Sequence, residues 1–302
     1  MKRGSVAERV RKGFGWLLFF GFFCLTACAG SQSALPKATE TGLSVVPAQA
    51  GVQAEEQTLL LPEASGIVIY SGAGVTIDAS HTDQGYVMIR CEPSEKRLKA
   101  RIATSAQTYY YDLPGGEVYS VFPLQMGDGA YTVRVMEQME DDLYAVRYGA
   151  EVQVVLASET VPFLYPNQYV WYDADKKSVQ KAHELAGGLT NQADIAGLFY
   201  DYVVKSMTYD TKKAETVGRG YLPDADDALD TGTGICFDYA ALLAVMLRAE
   251  GIPTRMLIGT VRPDNLYHAW NSVYLDGAWV WMDPTLDGTG RNERDYFTER
   301  IY

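Results

Sequence analysis

From about Thr58 to Ser158 the chain alternates apolar and polar side chains in short runs broken by turn residues, as in Gly66-Ile67-Val68-Ile69-Tyr70 and Gly74-Val75-Thr76-Ile77-Asp78. A period of two sends successive side chains to opposite faces of an extended chain, so these runs predict strands. In Ala130–Val135 the pattern turns Tyr131, Val133 and Val135 inward and Thr132 and Arg134 outward, and Glu151–Leu156 is a second clear run. About seven or eight runs at turn spacing, with no helical stretch among them, predict an antiparallel all-β sandwich over residues 58–160. Tyr109, Tyr110 and Tyr111 fit either an exposed binding patch or a strand whose middle Tyr is buried; the strand reading is preferred.

Beyond Pro162 the period changes. Ile195, Leu198, Phe199, Tyr202 and Val203 fall at i, i+3, i+4, i+7 and i+8, one apolar stripe on a helix opening near Asn191. A second helix is predicted from Ile235 to Glu250, after Asp230-Thr231-Gly232-Thr233-Gly234 breaks regularity and before Gly251 stops it. Ala240–Leu247 is apolar at every position, so this helix belongs at the buried centre of its unit. Strands are expected at Thr254–Val261, His268–Leu275 and Ala278–Thr285, the last two joined by Asp276-Gly277, a pair suited to a two-residue type I′ hairpin.

Composition fits globular units: 47% of the 302 residues are hydrophobic and 21% charged, which excludes disordered and collagen-like classes. Net charge is −12, and beyond residue 27 the chain has 21 basic against 37 acidic residues. Such a surface repels polyphosphate, so nucleic acid is not an expected partner. Four Cys are too few for a disulfide scaffold and none sit at zinc-site spacing.

The first residues read as an address. Lys2, Arg3, Arg9, Arg11 and Lys12 precede the apolar run Phe14–Leu25, which is short for a membrane span and ends in Leu25-Thr26-Ala27-Cys28. This tetrapeptide resembles the lipobox of bacterial lipoproteins, which implies a signal peptide at 1–27 and a diacylglycerol thioether on Cys28 anchoring the chain to a membrane outside the cytoplasm. An uncleaved signal anchor, or ordinary cleavage beside an incidental Cys, are the alternatives. Residues 28–57, rich in Ala, Ser, Gln, Thr and Gly, read as a flexible tether, followed by the β-sandwich at 58–160 and a second unit at 161–302.

The candidate chemistry lies in that second unit. Cys236 sits behind a Gly-Thr-Gly turn in the first turn of the central helix, where unpaired N–H groups and the helix dipole stabilise a thiolate. A buried structural Cys is the competing reading. His268 tips the balance. A two-residue turn pairs Leu275 with Ala278, hence Trp270 with Asp283 and His268 with Thr285, so His268 and Asp283 become diagonal neighbours on one face. A carboxylate there holds the imidazole tautomer and leaves the other ring nitrogen for a thiol; a three-residue loop would reverse the parity. His183 is read as solvated. Asp224, Asp226, Asp227 and Asp230 depart from the calcium-loop pattern and read as a solvated acidic loop, so no metal or cofactor is expected.

Together, Gly234-Ile235-Cys236-Phe237-Asp238-Tyr239-Ala240, Ala249-Glu250-Gly251-Ile252-Pro253-Thr254-Arg255, His268-Ala269-Trp270-Asn271 and Trp281-Met282-Asp283-Pro284-Thr285 resemble the core of transglutaminase-like proteins over about residues 165–302. The resemblance implies a papain-like α+β fold with Cys236 as nucleophile, His268 as general base and acid, Asp283 as orienting acid, and Tyr209 as candidate second oxyanion donor. Asp128-Gly129-Ala130-Tyr131 faintly resembles the tyrosine corner of immunoglobulin-like domains. The expected activity is a cysteine peptidase or amidase on proteins or wall peptides; transfer to an amine, and a non-catalytic peptide-binding module, are the alternatives. Oligomeric state is left open.

Overall fold

Alternation becomes two four-stranded antiparallel sheets. The computed structural model describes residues 59–302. One sheet orders β1 (Ile69–Gly72), β2 (Val75–Asp78), β3 (Tyr86–Cys91) and β6 (Gly116–Pro123). The other orders β5 (Thr108–Leu113), β4 (Leu98–Ala103), β7 (Gly129–Glu140) and β8 (Leu143–Val154). Val75, Ile77, Val87 and Ile89 of the first share a buried core with Ala100, Ile102, Val133 and Val135 of the second, as inward-facing alternate residues of a sandwich should. The Tyr131 hydroxyl lies 2.8 Å from the Gly127 carbonyl and accepts from the Met126 N–H at 2.9 Å, a bond back to upstream backbone of the tyrosine-corner kind.

The three consecutive tyrosines correct the expectation that the middle one is buried. Tyr109 and Tyr111 face inward and Tyr110 points to solvent. Period two was right and its phase wrong, because the inward pair is claimed by a neighbour from the far end of the chain: the Tyr302 ring packs against both.

The remainder mixes helices with a third sheet. Helices α1 (Lys177–Ala186), α2 (Gln192–Ser206), α3 (Thr211–Thr216), α4 (Ala225–Thr231) and α5 (Cys236–Ala249) precede β11 (Thr254–Val261), β12 (Leu266–Leu275), β13 (Ala278–Met282) and β14 (Tyr296–Ile301). Two-residue strands β9 (Thr208–Tyr209) and β10 (Thr233–Gly234) pair in parallel. Asn191 caps α2 as its composition suggests, its side chain accepting from the Asp194 N–H at 3.0 Å. The apolar stretch Ala240–Leu247 is wholly buried, and α5 packs against α1, α2 and α4 as well as against β11 and β12. The acidic segment is no loop: Asp224 caps α4 by accepting from the N–H groups of Asp226 and Asp227, while Asp226 binds Ser178 and Asp230 pairs with Lys177. His183 is likewise engaged, its Nδ1 2.6 Å from Glu250 Oε1.

The third sheet runs β13-β12-β11-β14, all antiparallel. Asp276 and Gly277 both have positive φ (50° and 83°), and Leu275 faces Ala278 as a type I′ turn requires. The final strand, β14, was not anticipated. It meets β11 with a register shift at Gly259, where a Cβ would lie 2.0 Å from the Phe297 carbonyl oxygen, so only glycine permits the approach. Beyond it, the Ile301 N–H donates to the Tyr109 hydroxyl at 3.2 Å and Gln125 Nε2 donates to the Ile301 carbonyl at 3.3 Å, tying this sheet to the sandwich.

A charged side chain directly follows the apolar run of α5. The Arg248 guanidinium is fully buried and donates to the carbonyls of Thr254 (2.7 and 2.9 Å), Tyr165 (2.6 Å) and Tyr302 (3.1 Å). Burial pulls its pKa down to about 10, yet it remains a cation at neutral pH. The signal peptide, Cys28 and the tether lie outside the described residues. Among those described, no helix is long and apolar enough to cross a membrane.

Candidate active site

Three elements bring their side chains to one place. Cys236 is the first residue of α5 and lines a cleft of about 770 Å³. The turn before it is held by Asp238, whose Oδ2 accepts from the Ile235 N–H at 2.8 Å. Gly234 is forced by this arrangement, since a Cβ would stand 2.6 Å from that of Asp238. Buried Asp238 is itself paired with Lys213 at 2.9 Å and accepts from the Tyr221 hydroxyl at 2.5 Å. The segment from Ala214 to Tyr221, which lines the cleft, is thereby fastened to the start of the Cys236 helix.

His268, on β12, is buried, and its Nε2 lies 2.8 Å from Asp283 Oδ2. The hairpin parity inferred from Asp276-Gly277 is therefore realised, although regular pairing ends one step earlier, at Asn271 with Met282. With Nε2 committed to the carboxylate, Nδ1 is the nitrogen left for the thiol. Burial acts to lower the His268 pKa, but the hydrogen bonds and negative charge of Asp283 and Cys236 outweigh it and raise it from 6.5 to about 9. Asn271 Nδ2, on the same strand, donates to the Ala240 carbonyl at 3.0 Å and pins β12 to the nucleophile's helix.

Asp283 is more heavily supported than the hairpin alone implies. Its Oδ1 accepts from the N–H groups of Thr285 (2.9 Å) and Leu286 (3.1 Å). Oδ2 accepts from the Tyr296 hydroxyl at 2.6 Å as well as facing His268. Tyr296 was missed from sequence, as were Lys213, Tyr221 and Asp238. Asp238 did leave a signal, an acidic residue three positions past the helix cap. Tyr296 left none, because it reaches Asp283 across an irregular stretch with no fixed period.

Tyr209 lines the same cleft, placed there by the pairing of β9 with β10, which sets it opposite Gly234. Its ring stands 6.4 Å from that of Tyr239, and burial leads the causes that raise its pKa, so it is a neutral hydroxyl at working pH. The Cys236 N–H, in the first helical turn, lacks an acceptor within the helix and is a natural oxyanion donor.

Both described cysteines are free. Cys91 is sealed in the sandwich core, and burial pushes its thiol pKa up. Near neutral pH, iodoacetamide is expected to label Cys236 well ahead of Cys91, as read by peptide mass spectrometry; equal rates would argue against an activated thiol.

A buried imidazole between a helix-start thiol and a carboxylate is the constellation of a cysteine-dependent acyl-transfer fold, and residues 179–284, which contain all three, match the family model of the transglutaminase-like superfamily. Over these residues the chain is similar to transglutaminase-like domains. Among curated proteins, a protein-glutamine gamma-glutamyltransferase of Pseudomonas aeruginosa is 32% identical over 108 residues, 31% of this chain and 16% of that protein. The chain thus spans less than a fifth of that relative's length. Among solved structures, a candidate cysteine protease from Cytophaga hutchinsonii superimposes with a TM-score of 0.38 at 16% identity, over 66% of this chain and 71% of that one. The periplasmic domain of TgpA from Pseudomonas aeruginosa gives 0.33 at 16% identity, over 72% of each. These overlays are loose, and the family assignment stands on the sequence match.

Proposed function

We propose that the protein is a lipid-anchored cysteine hydrolase, held outside the cytoplasm by Cys28, that cleaves amide bonds of proteins or wall peptides through an acyl-enzyme on Cys236. The observation that carries the chemistry is the 2.8 Å bond from His268 Nε2 to buried Asp283, which aims the other ring nitrogen at a helix-start thiol in an open cleft. The Cys236 thiolate attacks the substrate carbonyl carbon and a C–S bond forms. The tetrahedral oxyanion is met by the Cys236 N–H and the Tyr209 hydroxyl. The C–N bond breaks as the His268 imidazolium protonates the departing nitrogen. Water, deprotonated by His268, then attacks the thioester and releases a carboxylic acid and the thiolate.

The test is to incubate the protein with candidate proteins and wall peptides, with and without an added primary amine, and to analyse products by mass spectrometry. Hydrolysis gives fragments or released ammonia with a new carboxylate regardless of amine. The second reading, transfer to an amine, is favoured by the likeness to the protein-glutamine gamma-glutamyltransferase of Pseudomonas aeruginosa and would appear as an amide adduct of the added amine. For the anchor, Cys28→Ser is expected to abolish lipid labelling and detergent partitioning; unchanged labelling would remove Cys28 as the attachment site.

The His268 shift sets a pH dependence. A raised folded-state pKa means the protonated ring is favoured in the native protein. Its stabilising contribution is complete below about 6.5 and is lost as pH rises through about 9. Protonation of the departing nitrogen needs the charged His268 ring, so kcat/KM is expected to fall with a basic limb near pH 9. In Asp283→Asn, which removes the charge but keeps the shape, that limb should move down toward 6.5 and kcat/KM should drop by on the order of a hundredfold, about 2.7 kcal/mol. A limb that stays in place in the variant would show that Asp283 does not govern the His268 charge.

A further inference from the structure

We infer that the cleft selects acyl donors carrying a carboxylate within a residue or two of the reacting carbonyl, an inference that rests on the reading of this cleft as the substrate site. The chain is strongly acidic, yet no Asp or Glu lines the cleft, whereas Arg219 and Arg300 both do. The two cations come from unrelated places, the loop between α3 and α4 and the last strand.

Neither arginine is neutralised. Among the described residues no carboxylate lies within ion-pair distance of either. Arg300 donates only to the neighbouring Glu299 carbonyl, at 3.2 Å, and lies 5.5 Å over the Tyr109 ring. Of the carboxylates near the cleft, Asp238 is buried and already held by Lys213 and Tyr221, Asp112 pairs with Arg97 and Lys99, and Glu299, whose charge reaches the lining residue Tyr267, makes no ion pair with either arginine. Six of the lining residues are aromatic, so a bound peptide is shielded from water on its apolar parts while two planar five-donor groups stay open. Guanidinium is the weakly hydrated cation best matched to a carboxylate in such surroundings, because it offers two parallel N–H donors and stacks on rings. The more distant acidic exterior does not cancel this locally, since charges beyond about 8 Å are screened at physiological salt. The substrate class is therefore an acidic peptide with an adjacent apolar or aromatic residue.

The experiment uses the full chain in detergent and three synthetic peptide amides identical except for Glu, Gln or Lys beside the acyl-donor residue, each also carrying Phe. The Glu peptide is expected to exceed the Lys peptide in kcat/KM by roughly tenfold or more, with the ratio shrinking as salt rises. In Arg219→Gln/Arg300→Gln the ratio should fall toward one, and Arg219→Lys/Arg300→Lys should restore part of it. Binding of the same peptides, by fluorescence anisotropy, to the Cys236→Ala chain reads the preference without chemistry. A charge preference there with no turnover by the unaltered chain would sink the hydrolase reading and keep this inference. Equal handling of Glu and Lys peptides in both assays, or a preference that survives loss of both arginines, overturns the inference and leaves the hydrolase reading intact.

Discussion

Cys236→Ala is expected to turn over no detectable substrate, a loss on the order of 10⁴-fold or more in kcat/KM, or roughly 5.5 kcal/mol of transition-state stabilisation. His268→Ala should be nearly as severe, and the double variant little worse than either, because nucleophile and base act as one unit and their losses do not add. The substitutions differ structurally. Removing one sulfur from the cleft wall leaves the α5 start held by Asp238. Removing the imidazole strands a buried carboxylate that still has two backbone N–H donors and the Tyr296 hydroxyl. Cys236→Ala should therefore keep a native thermal transition, whereas His268→Ala should stay folded but melt lower because a buried charge partner is lost, and circular dichroism would separate lost chemistry from lost fold. Full activity of Cys236→Ala on a true substrate would end the proposal of an acyl-enzyme.

The largest effect on stability is expected at Arg248, far from any chemistry. Arg248→Met fills similar space but takes from the interior carbonyls of Thr254 and Tyr165 the donors that Arg248 gives them, while the Tyr302 carbonyl keeps the Met256 N–H at 2.8 Å. At about 1–3 kcal/mol for each buried polar group stranded, partly offset by no longer burying a charge, a net loss of about 3 kcal/mol or more is expected. Chemical denaturation would measure it as a lower midpoint. A midpoint equal to that of the unaltered chain would mean that water or rearranged backbone replaces the guanidinium at no cost.

Much of this arrangement was legible in the chain because the relevant physics is local. Asn191 and the i, i+3, i+4 stripe mark α2, the unbroken apolar run marks α5 as central, and the Asp276-Gly277 turn fixes the parity that sets His268 beside Asp283. What escaped was decided by partners remote in sequence. The phase of Tyr109–Tyr111 depends on Tyr302, nearly two hundred residues on. Helix α4 looked like an acidic loop because the Asp residues that depress helix propensity in the interior serve here as cap and as ligands for α1. Strand β14 has little buried alternation to betray it, and its register shift opposite Gly259 blurs what remains. The Lys213–Asp238–Tyr221 group joins a loop to a helix start, a contact that no periodicity encodes.

Strand β14 also imposes an order of events on the maturing chain. A nascent polypeptide that has emerged through Asp283 already holds its thiol, imidazole and carboxylate, but lacks the Tyr296 hydroxyl on that carboxylate, the Arg300 cation in the cleft, and the Ile301 contacts that bind sheet to sandwich. Those bonds span up to 192 residues, and contacts of such separation form late because the intervening chain must first be ordered. The reactive centre is thus completed by β14, which follows the sandwich in chain order, so a chain made only as far as Asp283 carries its reactive groups without a finished site.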